Sequence, residues 1–273
     1  MIPASFEYAR AESVDHAIEL LGGADDAKIL AGGHSLLPLM KTRLAQPSML
    51  VDITRIGDLS YIREDDDQIA IGALTRHHDV ANSELLQQAV PIVADTAEQI
   101  GDPQVRHVGT IGGSIAHADP AGDMGTVMLA LGASFVVRGA AGASRTVAAG
   151  DFFKGLFHAD LAANEVLTEI RVPKTTGGWS YLKFHRRAID WAMVGVAAVQ
   201  RNGSATVALT NMGETPIRAA GVEEALADGA DPATASQRAD EGTTPPSDAF
   251  GSAEYRKEVS KVLVRRALEE ALA

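Results

Sequence analysis

The sequence predicts an α+β fold made of two domains. Over residues 1–174, segments with helical periodicity alternate with short apolar segments of strand length. After residue 178 the pattern changes to short strand-like segments that follow one another closely, which predicts a small antiparallel sheet. The stretch Thr175-Thr176-Gly177-Gly178 between them has the composition of a linker. We therefore expect one domain at residues 1–174 and a second at residues 179–273.

In the first domain, the elements follow from periodicity and from residues that cap or break helices. Ser13 can cap an amphipathic helix that ends at Gly22-Gly23, because Val14, Ala17, Ile18 and Leu21 are apolar at helical spacing. Pro91 is expected to break a longer helical segment. Residues 101–109 read as a polar connection. Strands are predicted at residues 28–31, 49–53, 68–71, 110–118, 135–138 and 165–172, and helices at residues 36–44, 75–82, 83–100 and 123–131.

The second domain is predicted to be a small sheet followed by a long helix. The dipeptide Asn202-Gly203 is typical of a type I′ hairpin turn between two strands. Residues 228–248 contain few apolar residues and predict a mobile loop. Residues 253–272 are strongly periodic and predict a helix. The predicted strands are residues 181–184, 193–201 and 206–210.

Composition excludes several kinds of chemistry. The chain has 24 Lys and Arg against 36 Asp and Glu, a net charge of −12, which disfavours nucleic acid or an anionic membrane as a general partner. Without cysteine it can form no disulfide, thiolate metal site, cysteine-ligated cluster or thiol nucleophile. Any redox reaction must therefore use a bound cofactor. No signal-peptide pattern begins the sequence, and its longest near-apolar run is too short to span a bilayer, so we expect a cytoplasmic protein without an integral membrane segment.

Two glycine pairs, Gly32-Gly33 and Gly112-Gly113, are the strongest indication of a ligand. Glycine tolerates positive φ and lets backbone N–H groups approach an anion closely. His34 and Ser35 add side-chain donors to the first pair, and Ser114 adds one to the second. Most single diglycine turns are only tight connections, but two such turns predict a ligand with two phosphates. Neither has the G-x-G-x-x-G spacing of a Rossmann site.

Polar residues before the helix predicted at residues 123–131 allow two interpretations. Asp119 or Asp123 can cap this helix. Asp123 can also accept hydrogen bonds from sugar hydroxyls, and the two roles are compatible. The pair His77-His78, elsewhere in the sequence, gives little support for a metal site, because adjacent helical residues point in different directions and no H-E-x-x-H pattern accompanies them.

The first strand of the second domain and the loop after it combine cations with aromatic residues. A strand with one packed face accounts for this pattern, and Arg186 or Arg187 can pair with Asp190. Alternatively, a cation such as Lys183 can stabilise the reduced form of a redox ring, and the indole of Trp191 can cover it. From the residues alone, both interpretations remain open.

Taken together, these motifs resemble the FAD-binding medium subunits of molybdenum hydroxylases, such as aerobic carbon monoxide dehydrogenase and xanthine dehydrogenase. The resemblance covers the whole chain and depends on the order of residues 31–41, 51–53, 110–123 and 183–191. It implies an FAD-binding domain of the vanillyl-alcohol oxidase (PCMH) type, built from two α+β subdomains. It also implies a C-terminal α+β domain with a small antiparallel sheet.

The same resemblance implies how FAD is bound. The glycine motifs hold its pyrophosphate between the subdomains, Lys183 lies near the isoalloxazine ring, and Trp191 can cover that ring. The resemblance implies no catalytic residue and no metal ligand on this chain. The FAD-binding residues carried over by motif position are Ala31, Gly32, Gly33, His34, Ser35, Leu36, Thr110, Ile111, Gly112, Gly113, Ser114, His117, Asp123, Lys183 and Trp191.

As to function, the resemblance implies an electron-transfer subunit. In this family a molybdopterin-containing large subunit oxidises the substrate, and a small subunit passes the electrons through its [2Fe–2S] clusters to FAD. The absence of cysteine agrees with this division, and a dimer of heterotrimers is expected. Ala188 stands where the xanthine dehydrogenase branch carries an acid, so NAD, oxygen and quinone all remain open as acceptors. The alternative is a stand-alone flavin-dependent oxidase or reductase of the same fold.

Overall fold

A computed structural model describes residues 2–201 and 204–273. Its helices and strands form an α+β fold, which confirms the predicted class. The hairpin turn predicted at Asn202-Gly203 lies outside the described residues. Within the described residues, no helix combines the length and the apolar character needed to cross a membrane.

The first sheet contains three parallel strands. Its strand order is β1-β3-β2, and a helix lies in each connection, as parallel pairing requires. Ser13 caps the first helix by accepting a hydrogen bond from the amide of His16 at 3.1 Å, and the four apolar residues predicted to face the core are buried. The elements are β1 (Glu7–Arg10), α1 (Val14–Gly22), β2 (Ala27–Leu30), α2 (Leu36–Lys41) and β3 (Met49–Asp52).

The second sheet contains five antiparallel strands and is accompanied by seven short helices. The strands in this region are β4 (Ile62–Asp65), β5 (Gln68–Gly72), β6 (Ser134–Arg138), β7 (Ser144–Ala148), β8 (Phe153–Gly155), β9 (His158–Ala159) and β10 (Val166–Pro173). The helices are α3 (His77–Ala81), α4 (Glu84–Ala89), α5 (Pro91–Glu98), α6 (Pro103–Arg106), α7 (Ile111–His117), α8 (Asp123–Leu131) and α9 (Ala149–Phe152). The sheet order is β4-β5-β10-β6-β7, while β8 and β9 form a separate hairpin. Pro91 is the first residue of α5, so the predicted helix break is confirmed.

Two predictions for this region are wrong. Residues 110–118 form helix α7 rather than a strand, because Thr110 caps the helix and Ile111 and Ile115, one turn apart, are both buried. The expected polar connection at residues 101–109 contains helix α6, which Asp102 caps by accepting from the amide of Val105 at 2.9 Å. In both cases one capping side chain begins a helix that periodicity does not reveal.

The third sheet is antiparallel and has four strands in the order β11-β12-β13-β14. The predicted strands and the long final helix are confirmed. The predicted loop at residues 228–248 is partly wrong, because it contains a short helix that Asp231 caps at 2.7 Å and that buries Ala235. The elements are β11 (Trp179–Phe184), β12 (Val194–Arg201), β13 (Ser204–Thr210), β14 (Ile217–Arg218), α10 (Ala220–Ala227), α11 (Pro232–Ala235) and α12 (Ala253–Ala271).

Helix α8 lies between the second and third sheets. All nine of its residues are buried, as expected for a helix that is covered on every side. On β12, Ala197 and Val199 face α8, whereas Val196 and Ala198 face the core around α12. This alternation is the two-residue period of a strand covered on both faces. One continuous core therefore joins residues before position 174 to residues after position 179.

Candidate functional site

The two glycine motifs lie side by side. A Cβ atom on Gly32 would lie 2.4 Å from the carbonyl oxygen of Val108 and 2.7 Å from Cα of Gly109. A Cβ atom on Gly113 would lie 3.9 Å from Cβ of Ala31. Only glycine at position 32 allows the two backbone segments to come this close. The motifs therefore form one surface, although they are far apart in the sequence.

The first motif forms an open loop between β2 and α2. Gly33 has a φ of +71°, a conformation that favours glycine. Among the hydrogen bonds of residues 2–201 and 204–273, none is donated by the amides of Gly32, Gly33, His34 or Ser35. Leu36 is the first residue of α2. Four successive N–H groups are thus available to an anion.

The second motif forms the first turn of α7, and its backbone donors are already used. The amide of each residue from position 111 to position 114 makes a hydrogen bond within the chain. The acceptors are the carbonyl of Thr75 for Ile111 (3.0 Å), that of Ala73 for Gly112 (2.9 Å), the hydroxyl of Thr110 for Gly113 (3.2 Å) and the carbonyl of Thr110 for Ser114 (3.0 Å). The side chain of Ile111 is also buried in the core. This motif therefore offers side chains, Ser114 above all, rather than backbone amides.

His77 lies beneath the junction of the two motifs. A Cβ atom on Gly109 would lie 3.1 Å from Cδ2 of His77, and the backbone amide of His77 donates to the carbonyl of Gly109 at 3.0 Å. Burial, assisted by the charges of Arg106 and His34, lowers the pKa of His77 to about 4. The imidazole is therefore neutral at pH 7. Within the described residues its buried Nδ1 has no hydrogen-bond partner.

His117 follows the second motif at the end of α7. Its ring lies 5.0 Å from the ring of Phe157, centroid to centroid, at the tip of the β8–β9 hairpin. Phe157 has a φ of +54°, which is unusual for a bulky residue. Burial lowers the pKa of His117. The side chain of His117 is therefore held at the edge of the surface that the two glycine motifs form, in an environment partly shielded from water.

Asp123 and Lys183 form a buried ion pair between α8 and β11. Lys183 Nζ lies 2.9 Å from Oδ2 of Asp123, and their side chains are only 2% and 4% exposed. The hydroxyl of Tyr181 donates to Oδ1 of Asp123 at 2.6 Å. Lys183 also donates to the carbonyl of Gln99 at 3.2 Å. Asp123 is the first residue of α8, but Gly122 occupies the capping position and Asp119 accepts from the amide of Ala121, so the capping prediction is wrong for both acids.

Burial dominates the electrostatics of this cluster. It raises the pKa of Asp123, and the positive charge of Lys183 and the hydroxyl of Tyr181 only partly oppose this effect. The pKa of Tyr181 is raised well above its ordinary value, first by burial and then by the neighbouring carboxylate. Tyr181 therefore keeps its proton and remains a hydrogen-bond donor to Asp123.

Trp191 lies apart from this buried cluster. It belongs to the loop between β11 and β12 and is 55% exposed. In the same loop Arg187 Nε lies 3.2 Å from Oδ2 of Asp190, so one of the two alternative ion pairs is confirmed. The structure thus brings together the two glycine motifs, and separately Asp123 with Lys183, but leaves Trp191 at the surface.

Two residues of this region were missed as site residues in the sequence. Tyr181 is two positions before Lys183, and the two-residue period of a strand places both side chains on one face. That signal was available. The sequence presents His77 only as a possible metal ligand, because nothing in it shows that Gly109 packs onto the imidazole ring.

These features fit a diphosphate. The chain carries a net charge of −12, so an anion must be held by local donors. Four amides without an acceptor in the described part of the chain, together with the side chains of His34 and Ser35, provide such donors next to a second surface that carries Ser114. A ligand with a diphosphate and a further polar part would therefore be held from two sides.

Comparison with known proteins identifies two families along the chain. Residues 4–175 match the FAD binding domain in molybdopterin dehydrogenase. Residues 179–271 match the carbon monoxide dehydrogenase flavoprotein C-terminal domain. Together these matches cover almost all of the sequence.

Individual relatives align with this chain over almost their full length. The carbon monoxide dehydrogenase medium chain of Hydrogenophaga pseudoflava is 44% identical, with 100% of this chain and 99% of the relative aligned. The glyceraldehyde dehydrogenase medium chain of Sulfolobus acidocaldarius is 41% identical, with 99% of each chain aligned. Among solved structures, carbon monoxide dehydrogenase from Hydrogenophaga pseudoflava that lacks the Mo-pyranopterin moiety of the molybdenum cofactor superimposes with a TM-score of 0.94 at 43% identity, covering 100% of this chain and 99% of that one.

Proposed function

The chain belongs to the family of FAD-binding medium subunits of molybdenum hydroxylases, and we propose that it passes electrons from the [2Fe–2S] clusters of a small partner subunit to an external acceptor. It is a subunit of an FAD-dependent oxidoreductase. The proposal extends to a molybdopterin-containing large subunit that oxidises the substrate, and to a dimer of such heterotrimers. Its complex would be similar to aerobic carbon monoxide dehydrogenase.

The observation that carries the proposal is the row of amides in the first glycine motif. Gly32, Gly33, His34 and Ser35 present N–H groups with no partner among the described residues, at the place where the second motif approaches. We propose that these groups hold the pyrophosphate of FAD and that Ser114 holds it from the opposite side. The remaining residues of the second motif shape the site by fixing α7.

The buried cluster fixes the ammonium group of Lys183 in a pair with the carboxylate of Asp123. When bound, FAD accepts electrons one at a time from an iron–sulfur donor and can release them as a pair. Lys183 would place its ammonium group beside the flavin ring, and Asp123 and Tyr181 would fix the direction in which that group points. No proton donor for a substrate is required on this chain, because substrate oxidation belongs to the large subunit.

The proposed organisation also includes a boundary between residues 174 and 179. Strand β10 ends at Pro173 and β11 begins at Trp179. The boundary that we propose divides the sequence into two parts. It does not divide the hydrophobic core, because both parts contribute residues to the core around α8. A cytoplasmic location stays a prediction.

Titration with FAD tests the binding site. The purified full chain, freed of flavin and titrated with FAD, is expected to bind one equivalent and to stay yellow after unbound FAD has been removed by gel filtration. Wild-type protein that stays colourless and takes up no FAD contradicts the proposal. Ser35→Ala should weaken binding, whereas Ser144→Ala, on an exposed strand away from the motifs, is the matched control.

Purification from the native host tests the electron-transfer role. A tagged chain is expected to copurify with a molybdenum-containing large subunit and an iron–sulfur small subunit. Substrate added to this complex should reduce the flavin, and removal of the iron–sulfur subunit should abolish that reduction. Steady turnover of an organic substrate by the isolated chain would instead favour the stand-alone oxidase or reductase.

A further inference from the structure

The loop that carries Trp191 is fixed at one end. We define the Trp191 loop as residues 185–193, between β11 and β12. Its exposed large apolar side chains are Ile189 and Trp191. The amide of Met193 donates to the carbonyl of Phe184 at 2.8 Å and closes the base of the loop. The last two residues, Ala192 and Met193, are buried.

Arg256, on the C-terminal helix α12, holds this base from within the protein. Its side chain is 1% exposed. One end of the guanidinium donates to the carbonyl of Met193, and the other donates to both carboxylate oxygens of Asp248, each at 2.8 Å. Asp248 in turn accepts from the amides of Phe250 at 2.8 Å and Gly251 at 3.2 Å. One buried cation thus joins α12, the Trp191 loop and the turn that begins at Asp248.

A second tie connects the loop to the glycine surface. Asn211 donates from its side chain to the carbonyl of Ala192 at 2.8 Å, and from its backbone to the carbonyl of Pro120 at 2.8 Å. Pro120 lies in the connection between α7 and α8, shortly after His117. Asn211 therefore holds the loop in a fixed position relative to the segment that follows the second motif.

The tip of the loop is held by exposed contacts instead. Arg186 lies over the ring of Phe250 at 5.9 Å, and Arg187 pairs with Asp190 inside the loop. Exposed contacts of this kind contribute little, because water and salt screen them. The loop therefore has a rigid base and a lightly held tip.

The charge of Arg256 is hard to explain by stability alone. Its ion pair is weak support for stability, because the carboxylate of Asp248 is 40% exposed and water screens its charge, and because apolar residues often replace a buried charge without loss of stability. What a guanidinium adds is direction, since its N–H groups point in a fixed plane. Partial burial raises the pKa of Asp248, but the amide of Phe250 and the charge of Arg256 outweigh this and hold it below the ordinary value. The carboxylate is thus ionised at neutral pH and keeps the tie in place.

We infer that Arg256 is a positioning residue, which fixes the base of the Trp191 loop by holding the Met193 carbonyl against the turn at Asp248. Arg256 thereby determines where Trp191 stands. The inference has two steps. In the first, Arg256 fixes the Trp191 loop in the FAD-free chain. In the second, which rests on the proposed function, the loop so fixed places Trp191 over the flavin.

The two tryptophans of the chain, Trp179 and Trp191, allow a direct test. In a Trp179→Phe parent, Trp191 is the only indole and reports on its own loop. Arg256→Lys keeps the charge but cannot span both partners, and Arg256→Met removes the charge. Lys261→Met, on the same helix and paired with Glu258 at 2.9 Å, is the matched control.

In FAD-free protein, both Arg256 variants are expected to lower the fluorescence anisotropy of Trp191 and to increase its quenching by acrylamide, whereas the control leaves both unchanged. Circular dichroism identifies the variants that are folded at the working temperature. If Arg256→Met does not fold, Asp248→Asn replaces it and is also expected to lower the anisotropy of Trp191 and to increase its quenching by acrylamide. Folded Arg256 and Asp248 variants with unaltered anisotropy would overturn the inference.

Titration with FAD then examines the second step. A loosened loop must be ordered on binding, and ordering even one backbone residue predicts an about tenfold rise in Kd. FAD that binds the parent without quenching Trp191 would overturn the placement of the indole over the flavin and leave the anisotropy result standing. A parent that binds no FAD would overturn the proposed function, and the role of Arg256 in the free chain would still be decided by anisotropy.

Discussion

The two glycine motifs look alike in the sequence but use their backbones in opposite ways. The first lies just before α2 and the second forms the first turn of α7, and a hydroxyl residue stands at the capping position of each helix: Ser35 for α2 and Thr110 for α7. The side chain of Thr110 caps its helix, whereas that of Ser35 makes no capping bond. The amides of the second motif are bonded within the chain, whereas those of the first have no acceptor among the residues that the structure describes.

This difference shows that a glycine pair can either leave backbone amides available to a ligand or allow close packing within the fold. In the first motif, Gly32 and positive φ at Gly33 keep a loop open. In the second, Gly112 lets α7 pack directly onto Ala73 in the core. Substitution of Ser35 in the first motif should therefore act on FAD affinity, and substitution of Gly112 in the second should act on stability.

The largest effect is expected at Gly112. In Gly112→Ala the new Cβ would lie 2.5 Å from Cβ of Ala73 and 2.6 Å from its carbonyl oxygen, so α7 must shift. Overpacking against backbone predicts a loss of about 3 kcal/mol in the free energy of unfolding. Urea denaturation of FAD-free protein measures this. Gly155→Ala, which meets nothing within 4 Å, is the control. Equal midpoints for the two variants would refute the structural role of the second motif.

An effect of similar size is expected at the junction of the motifs when the pH is lowered. His77 has a pKa of about 4 in the folded protein, against an ordinary value of 6.5. Between these values the unfolded chain binds the extra proton, so stability is present above pH 6.5 and is lost as the pH falls towards 4. The shift corresponds to about 3 kcal/mol. We expect His77→Gln to flatten the pH dependence of unfolding relative to wild type, while His78→Gln does not.

A smaller effect, on affinity rather than stability, is expected at Ser35. Because its side chain caps nothing, Ser35→Ala should leave the urea midpoint of the FAD-free protein unchanged. Loss of one hydrogen bond to a charged phosphate should raise the Kd for FAD about tenfold. Fluorescence titration measures this value. A fall in stability without a change in Kd would reverse the assignment of the first motif.

The smallest effect is expected at Thr110. Thr110→Val removes the hydroxyl that accepts from the amide of Gly113 at 3.2 Å and should reduce the free energy of unfolding by about 1 kcal/mol. Thr110→Ser keeps the hydroxyl and should retain most of that stability. If valine is tolerated as well as serine, α7 does not depend on this cap.

Local patterns were sufficient for much of the fold. The cap at Ser13, the break at Pro91 and both ends of α8 were predicted, because each depends on residues within one or two helical turns. Helix α7 was not predicted, since its two glycines oppose a helix and the bonds that stabilise its start come from Ala73 and Thr75, far away in the sequence.

The site was predictable as a set of segments but not as an arrangement. The motifs single out Gly32, Gly112, Asp123 and Lys183 as candidate residues, but the partners of each lie on other elements. No local signal shows that Gly32 packs onto Val108 or that Asp123 is enclosed by two side chains of β11. For the same reason, the tie between Arg256 and Met193 joins segments that no short-range pattern connects.

The placement of α8 has a consequence for the order in which the chain can fold. This helix has no solvent-facing side, and β12 and β13, which cover one of its sides, are made only after residue 193. A chain that ends at residue 174 would leave that side open to water, and a nascent chain on the ribosome passes through the same state. The core of residues 1–174 is thus completed only when β12 and β13 have been made. Truncated forms that lack these strands should aggregate rather than bind flavin.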